Sequence, residues 1–250
     1  MIGINNRFSL QGKTILVTGA SSGIGKRIAI ECSEMGAKVI LSGRNIERLE
    51  ETEKEIGNSD TSIIVADLSS DAGVADLINA LPVLDGVVLA AGIVEMWPVL
   101  YATPKRIEKI FQTNFYSPVE ILRLIVKKRL FNPGFSAVVI DSIAGTDDFA
   151  PGNGIYGAGK AALRSFLKFF SKEMVSKGIR VNTVSPGLIF TPMQTEGDVS
   201  EADLQKAIEM VPMKRWGLPE DISPAVVFLL SDASSYMTGS DIKIDGGYTI

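Results

Sequence analysis

The chain has 250 residues, of which 46% are apolar and 22% charged, with a net charge of −4; this is the balance of a globular protein with one large core and argues against nucleic acid as its partner. It contains no histidine and a single cysteine, Cys32, which excludes a Ser-His-Asp triad, a histidine-ligated metal, a thiolate zinc site and an internal disulfide. Proton transfer near neutral pH therefore has to use another side chain.

In chain order, the first fifteen residues lack the charged-then-apolar layout of a secretory leader, and no later run approaches the roughly 18 apolar residues of a membrane span. A cytoplasmic protein without a membrane partner is the expectation. "KTILVT" (Lys13 to Thr18) reads as a strand that meets glycines at once. Gly23 to Met35 follows as a helix with Ile24, Ile28 and Cys32 a turn apart, and Gly36 ends it. Lys38 to Gly43 is a second strand, and Asn45 to Gly57 an amphipathic helix with Asn45 as N-cap. Strands at Thr61 to Asp67 and Gly86 to Gly92 flank a short helix over Asp71 to Leu81. A long helical region from about Thr103 to Leu130 leads to a strand at Ser136 to Ser142, a helix at Tyr156 to Lys177 and a strand at Ile179 to Ser185. A helix at Glu220 to Leu230 and a strand at Asp241 to Asp245 close the chain. Strands alternate with helices, and several strands are unbroken apolar runs, as in a parallel sheet covered on both faces. The one long break in this rhythm, Phe190 to Trp216, is read as a substrate loop or lid.

The stretch "TGASSGIG" puts Gly19, Gly23 and Gly25 between a strand and a helix. Gly19 allows a tight turn, Gly23 a close approach of backbone to a pyrophosphate, and Gly25 close packing of helix on sheet; the helix N-terminus then offers N–H groups to phosphates. The spacing is one residue wider than the common dinucleotide fingerprint. At the end of the second strand, where an acid would bind the ribose hydroxyls of NAD, the chain has Gly43 and then Arg44. A guanidinium there suits the 2′-phosphate of NADP, so NADP(H) is preferred and NAD(H) remains open.

"IYGAGKAALRSF" (Ile155 to Phe166) sets Tyr156 and Lys160 four residues apart on one helix face. A tyrosine working near pH 7 needs its pKa lowered by about three units, or about 4 kcal/mol, and one ammonium at ~4 Å contributes about 4 kcal/mol at an effective dielectric of 20. Lys160 alone is thus of the right size to make Tyr156 a general acid. The same spacing also occurs in surface helix pairs. Two further residues strengthen the functional reading: Ser142, at the ligand-binding end of the fifth strand, and Asn114, a poor helix former in mid-helix that could hold a water.

These residues resemble the short-chain dehydrogenase/reductase family, over essentially the whole chain from "TGASSGIG" to "YMTGSDIKIDGG", and within it the 3-oxoacyl-[acyl-carrier-protein] reductase type. The resemblance implies a three-layer α/β fold, a Rossmann-type doubly wound parallel sheet of about seven strands with helices on both faces, forming one dinucleotide-binding domain over residues 1–250 with a lid at 190–216. It matches Asn114, Ser142, Tyr156 and Lys160 to the family's catalytic tetrad. Tyr156 would be the acid/base, Ser142 would orient the carbonyl, Lys160 would bind the nicotinamide ribose, and Asn114 would order a proton-relay water. It implies cofactor contacts at Gly19, Ser21, Ser22, Gly23, Ile24, Gly25 and Arg44, with Asp67 and Leu68 at the adenine. Ala90, Ala91 and Gly92, then Pro186, Gly187, Ile189 and Thr191, would also touch the cofactor, the last two at the carboxamide. Three features depart from the family pattern. Its Asn-Asn-Ala-Gly reads Leu89 to Gly92 here as Leu-Ala-Ala-Gly, Ser142 and Tyr156 are one residue further apart than usual, and the stretch between the third and fourth strands is short.

The expected activity is reduction of a ketone, 3-oxoacyl or similar, to a secondary alcohol with NADPH. The alternatives are a sugar or steroid-like alcohol as substrate, or an NADP-binding sensor or scaffold with no turnover. Val94, Met96, Trp97, Phe149, Ile155, Phe190, Met193 and Met210 give the presumed pocket an apolar cast, although the same residues would serve as core. Lys128, Arg129 and Lys172 match cations that meet an acyl carrier protein in such reductases. Apolar residues on more than one face of Ala161 to Met174 suit a homotetramer or homodimer.

Overall fold

The computed structural model describes residues 7–57, 60–192 and 201–250. Its centre is a sheet of seven parallel strands in the order β3-β2-β1-β4-β5-β6-β7. The strands are β1 (Thr14–Thr18), β2 (Lys38–Gly43), β3 (Thr61–Val65), β4 (Leu84–Leu89), β5 (Phe131–Ile140), β6 (Arg180–Pro186) and β7 (Asp241–Ile244). The helices are α1 (Gly23–Glu34), α2 (Ile46–Ile56), α3 (Asp71–Ala80), α4 (Pro104–Phe111), α5 (Ser117–Lys127), α6 (Gly154–Met174), α7 (Glu201–Met210) and α8 (Pro219–Leu230).

The apolar runs become strands because both of their faces are covered. Ile15, Val17, Val88 and Val138 point into one cluster with Ile28 and Cys32 of α1 and Val226 and Leu230 of α8. Their neighbours Leu16, Val87 and Val139 point into the other, against Leu77, Ile121, Ile125, Leu163 and Leu167. This two-residue alternation sorts each strand between two cores. Cys32 is fully buried, and burial pushes its thiol well above the ordinary range.

Strand order reverses between β1 and β4: β1 pairs with β2 on one side, Thr18 opposite Ser42, and with β4 on the other, Thr18 opposite Leu89. The crevice at the carboxyl ends of these strands is where ligands bind in open parallel sheets. Several boundaries differ from the sequence expectation. β5 starts at Phe131 rather than Ser136, beyond a register shift between Leu84 and Gly86. β4 stops at Leu89, which leaves Ala90 to Gly92 as open chain at the crevice. The long helix over 103–130 is broken by a π-turn, Gln112–Tyr116. The segment 190–216 contains α7, which the sequence reading left unassigned, and residues 193–200 within it lie outside the described residues. Among the described residues no helix is long and apolar enough to cross a membrane.

Candidate active site

Thr18 ends β1, and its hydroxyl accepts hydrogen bonds from the amides of Ala90 (3.1 Å) and Ala91 (3.3 Å). One side chain thus ties the glycine turn to the chain leaving β4, and these bonds use backbone only, so the two alanines suffice. Gly19 has φ +69°, and a Cβ there would lie 2.9 Å from the Ala91 nitrogen. A Cβ on Gly25 would lie 2.3 Å from the Gly19 oxygen, so α1 packs directly on the turn. Gly23, at φ +53°, faces the chain after β6: a Cβ there would be 3.3 Å from Thr191 Cγ2.

Ser22 is the N-cap of α1 in extended conformation, and its side chain caps no amide. The first-turn N–H groups of α1 therefore have no side-chain cap from Ser22, an arrangement that attracts anions. Ser21 lies beside the end of β2, its Oγ 3.4 Å from where a Gly43 Cβ would stand. Arg44 follows, exposed, and its field reaches Asp67. Asp67 turns its Oδ1 to the amide (3.0 Å) and hydroxyl (2.8 Å) of Ser69, which hold its carboxyl below the usual range; Leu68 is buried.

Tyr156 and Lys160 lie one turn apart near the start of α6, with the ammonium 5.8 Å from the phenol ring centre. Lys160 is buried and its Nζ donates to the carbonyl of Ile140 at 2.8 Å. Ser142 sits just past β5, and its Oγ accepts from the Ala144 amide at 3.0 Å. Burial pushes the Tyr156 phenol up to about 12; the hydrogen-bonding interaction with Ser142 opposes this and Asp141 reinforces it. Burial also pulls Lys160 down, against the carboxylate of Asp141. This corrects the sequence expectation that Lys160 by itself brings the phenol toward neutrality. Both groups lose solvent together, and for each of them burial is the largest cause of its shift.

Asn114 is not on an exposed helical turn. It lies 1% exposed in the π-turn, where its Oδ1 accepts from the Ile93 amide (2.9 Å) and its Nδ2 donates to the Ile93 carbonyl (2.8 Å). The Gln112 carbonyl accepts both the Ser117 amide, which closes the π-turn, and the Ser117 hydroxyl at 2.8 Å. Gly92 stands between Asn114 and Lys160: a Cβ on it would be 3.4 Å from Asn114 Oδ1 and 4.0 Å from Lys160 Nζ. Asn114, Lys160 and Gly92 thus converge, and Gly19 is packed on Ala91 next door.

On the far side, Pro186 ends β6 and its carbonyl accepts from the Ile143 amide. Gly187 packs on Asp245, with a Cβ only 2.7 Å from the Asp245 Cβ. Ile189 is buried and bridges to Gly217, while Thr191 is half-buried facing Gly23. Of the presumed pocket residues, Met96 and Phe149 are strongly exposed, Phe190 stacks edge-on with Trp216, and Met210 is exposed. Val94 and Trp97 are half-buried, Ile155 is buried in the protein and Met193 is outside the described residues.

The sequence reading missed a charged cluster behind Ser142. Arg164 donates through Nε to Asp141 Oδ2 at 2.6 Å, through Nη1 to Asp147 at 3.3 Å, and through Nη2 to the Ser142 carbonyl and to Ser185 Oγ. Asp241 lies 3.4 Å from the same guanidinium and accepts from Thr183 and Ser185, both at 2.6 Å. Two signals were available: an acid ending an apolar strand, and an arginine one turn beyond Lys160.

Comparisons with known proteins point to one family. A family profile described as enoyl-(acyl carrier protein) reductase matches residues 19–249. The chain is 35% identical over 241 residues to a 3-oxoacyl-[acyl-carrier-protein] reductase of Rickettsia felis, covering 95% of this chain and 97% of that one. Among solved structures it is similar to the Pseudomonas aeruginosa RhlG/NADP active-site complex (TM-score 0.90, 32% identity, 98% and 99% of the two chains). A short-chain type dehydrogenase/reductase from Mycobacterium marinum aligns with TM-score 0.88 and 32% identity over 99% of each chain.

Proposed function

Since the chain belongs to the short-chain dehydrogenase/reductase family and is an oxidoreductase of C=O and CH–OH groups, we propose that it uses NADPH to reduce a ketone, of 3-oxoacyl or similar type, to a secondary alcohol. The observation that carries this reading is the contiguity of glycine turn and tetrad: Gly19 packs on Ala91, and the adjoining Gly92 separates Asn114 from Lys160.

The residues present fit the dinucleotide. The uncapped start of α1 suits the pyrophosphate, and Gly23 leaves open the space a Cβ would fill opposite Thr191. Arg44, exposed beyond Gly43, suits a 2′-phosphate. Asp67, Leu68, Ala90, Pro186, Gly187 and Ile189 complete the walls. When bound, the cofactor supplies the hydride.

Tyr156 supplies the proton. A phenol held at about 12 stays protonated at neutral pH and gives its proton to an alkoxide as that charge develops. Ser142 orients the carbonyl oxygen, and the Lys160 charge offsets the phenolate that Tyr156 leaves behind. The gap over Gly92, lined by Asn114 Oδ1 and Lys160 Nζ, suits a water that returns a proton to Lys160.

The same reading takes residues 1–250 as one cytoplasmic domain with 190–216 as its lid. Exposed Lys128, Arg129 and Lys172 suit an acidic carrier protein. The exposed Phe169 and Tyr116 on adjoining helices suit a homotetramer or homodimer. The test is NADPH oxidation with a 3-oxoacyl thioester, with a 2-enoyl thioester as control. Tyr156→Phe should abolish turnover and leave NADPH binding largely intact; retained activity refutes the assignment. Tight NADPH binding with no turnover on any of a panel of ketones would instead mark a sensor.

A further inference from the structure

Asp141 and Ser142 are neighbours at the end of β5, and Lys160 and Arg164 are one turn apart on α6. The two pairs meet in the interior. Asp141 is 3% exposed, with Oδ2 on Arg164 and Oδ1 lacking any hydrogen-bond partner among the described residues. Arg164 also grips the Ser142 carbonyl. Around it stand three carboxylates, Asp141, Asp147 and Asp241, against two cations, Arg164 itself and Lys243, which reaches Asp147 at 3.3 Å. The cluster is short of one positive charge.

Resting on the reading of Ser142, Tyr156 and Lys160 given above, we propose that Asp141 and Arg164 are positioning residues for carbonyl reduction: Arg164 fixes the main chain that carries Ser142, and Asp141 is the buried counter-charge that keeps Lys160 an ammonium. Lys160 closes the cluster's charge without an ion pair of its own among the described residues. Its ammonium is bonded to a carbonyl, Ile140 O, and of the carboxylates it is Asp141 that acts on it. An ammonium this deeply buried needs such a partner to stay charged. The charged and titratable groups facing the pair are Tyr156 and Lys160 on α6, Asp241 on β7, Asp147 on the loop after β5 and, through Asp147, Lys243. The arrangement divides the labour of one guanidinium between geometry, at Ser142, and charge, at Asp141.

The test is the pH dependence of kcat/KM for NADPH-driven reduction in wild type and Asp141→Asn. The amide keeps an acceptor for Arg164 and removes the negative charge. Lys160 and Tyr156 then both deprotonate more easily, so the alkaline limb should move down by about one pH unit. Arg164→Lys keeps the charge and loses the fork, so it should lower kcat about tenfold or more with the limb in place. If Asp141→Asn does not fold, Asp141→Ser removes the same charge with a smaller side chain and decides by the same downward shift. A merely structural pair predicts loss of stability and a uniform fall in kcat with no movement of the limb, and that result overturns the proposal. Activity retained in Tyr156→Phe would instead sink the underlying reading, whatever Asp141→Asn does.

Discussion

Replacing Gly25 with alanine tests the glycine turn on purely steric ground. Gly25 is inside α1, where alanine ordinarily gains about 1 kcal/mol over glycine in helix propensity. The added Cβ, however, would lie 2.3 Å from the Gly19 oxygen, 2.8 Å from its carbon and 3.2 Å from the Thr18 oxygen. All three are backbone atoms at the end of a central strand and cannot rotate away. Restoring ordinary contact requires the turn and the helix to part by roughly 1 Å, and overpacking of this kind costs about 1–3 kcal/mol. A misplacement of that size can cost about a hundredfold in rate, or about 2.7 kcal/mol, and a loss of the same order is expected for the amides proposed to hold the phosphates. We therefore expect Gly25→Ala to raise the Kd for NADPH about a hundredfold by calorimetric titration, with circular dichroism confirming a folded protein. Gly12→Ala is the control. Gly12 has φ +77° but nothing within 4 Å of a Cβ, so it should lose about 1–2 kcal/mol of stability and bind NADPH normally. A folded Gly25→Ala protein whose affinity changes less than threefold, or an equal loss in Gly12→Ala, would refute the steric argument.

Arg44→Ala should raise the Kd for NADPH by about 10- to 100-fold and leave that for NADH within about twofold; equal effects on the two would remove Arg44 from the 2′-phosphate. Asp221 bonds Arg215 at 2.6 and 2.8 Å and accepts from the Leu218 amide at 2.7 Å, and these hydrogen bonds hold its carboxyl down at about 2. A folded-state pKa below the unfolded value of about 3.9 means stabilisation that is complete above that value and lost as pH falls from about 4 through 2. Chemical denaturation across that range should show this loss, and Asp221→Asn should flatten it; an unchanged slope would show that the carboxylate does not contribute.

Most of the fold was legible because it rests on local signals. The runs at Lys13 to Thr18 and Gly86 to Gly92 turn apolar side chains to both faces, and only a doubly covered sheet accommodates that. Gly36 and Asn45 punctuate the chain where α1 ends and α2 begins, and Asn45 caps the Arg48 amide as its chemistry suggests. The boundaries that slipped depend on distant partners. Phe131 joins β5 because it pairs with Leu84, across a register shift that no local pattern announces.

The candidate site divides the same way. Tyr156 and Lys160 share a helix face by spacing alone, and Gly19 and Gly25 follow from the turn. What the spacing could not supply was the environment: the ammonium's bond to Ile140, and the burial that drives the phenol upward. Asp141 and Arg164 are separated by 23 positions, and their contact exists only once β5 and α6 are packed. Asn114 raised the right suspicion, a poor helix former inside a helix, although the reason is a widened turn.

That widened turn makes the length of the chain between Pro104 and Lys127 a functional quantity. A π-turn is an α-helix carrying one surplus residue, so deleting one position within Gln112 to Tyr116 would bring α4 and α5 into one helical register. Pro118, now in the first turn of α5, would then lie inside the helix with no N–H to give, and the deletion would swing the Asn114 amide about 100° around the helix axis and uncouple it from Ile93. On the role proposed for Asn114, a variant shortened here should lose turnover, because the irregular turn is what keeps the amide on Ile93.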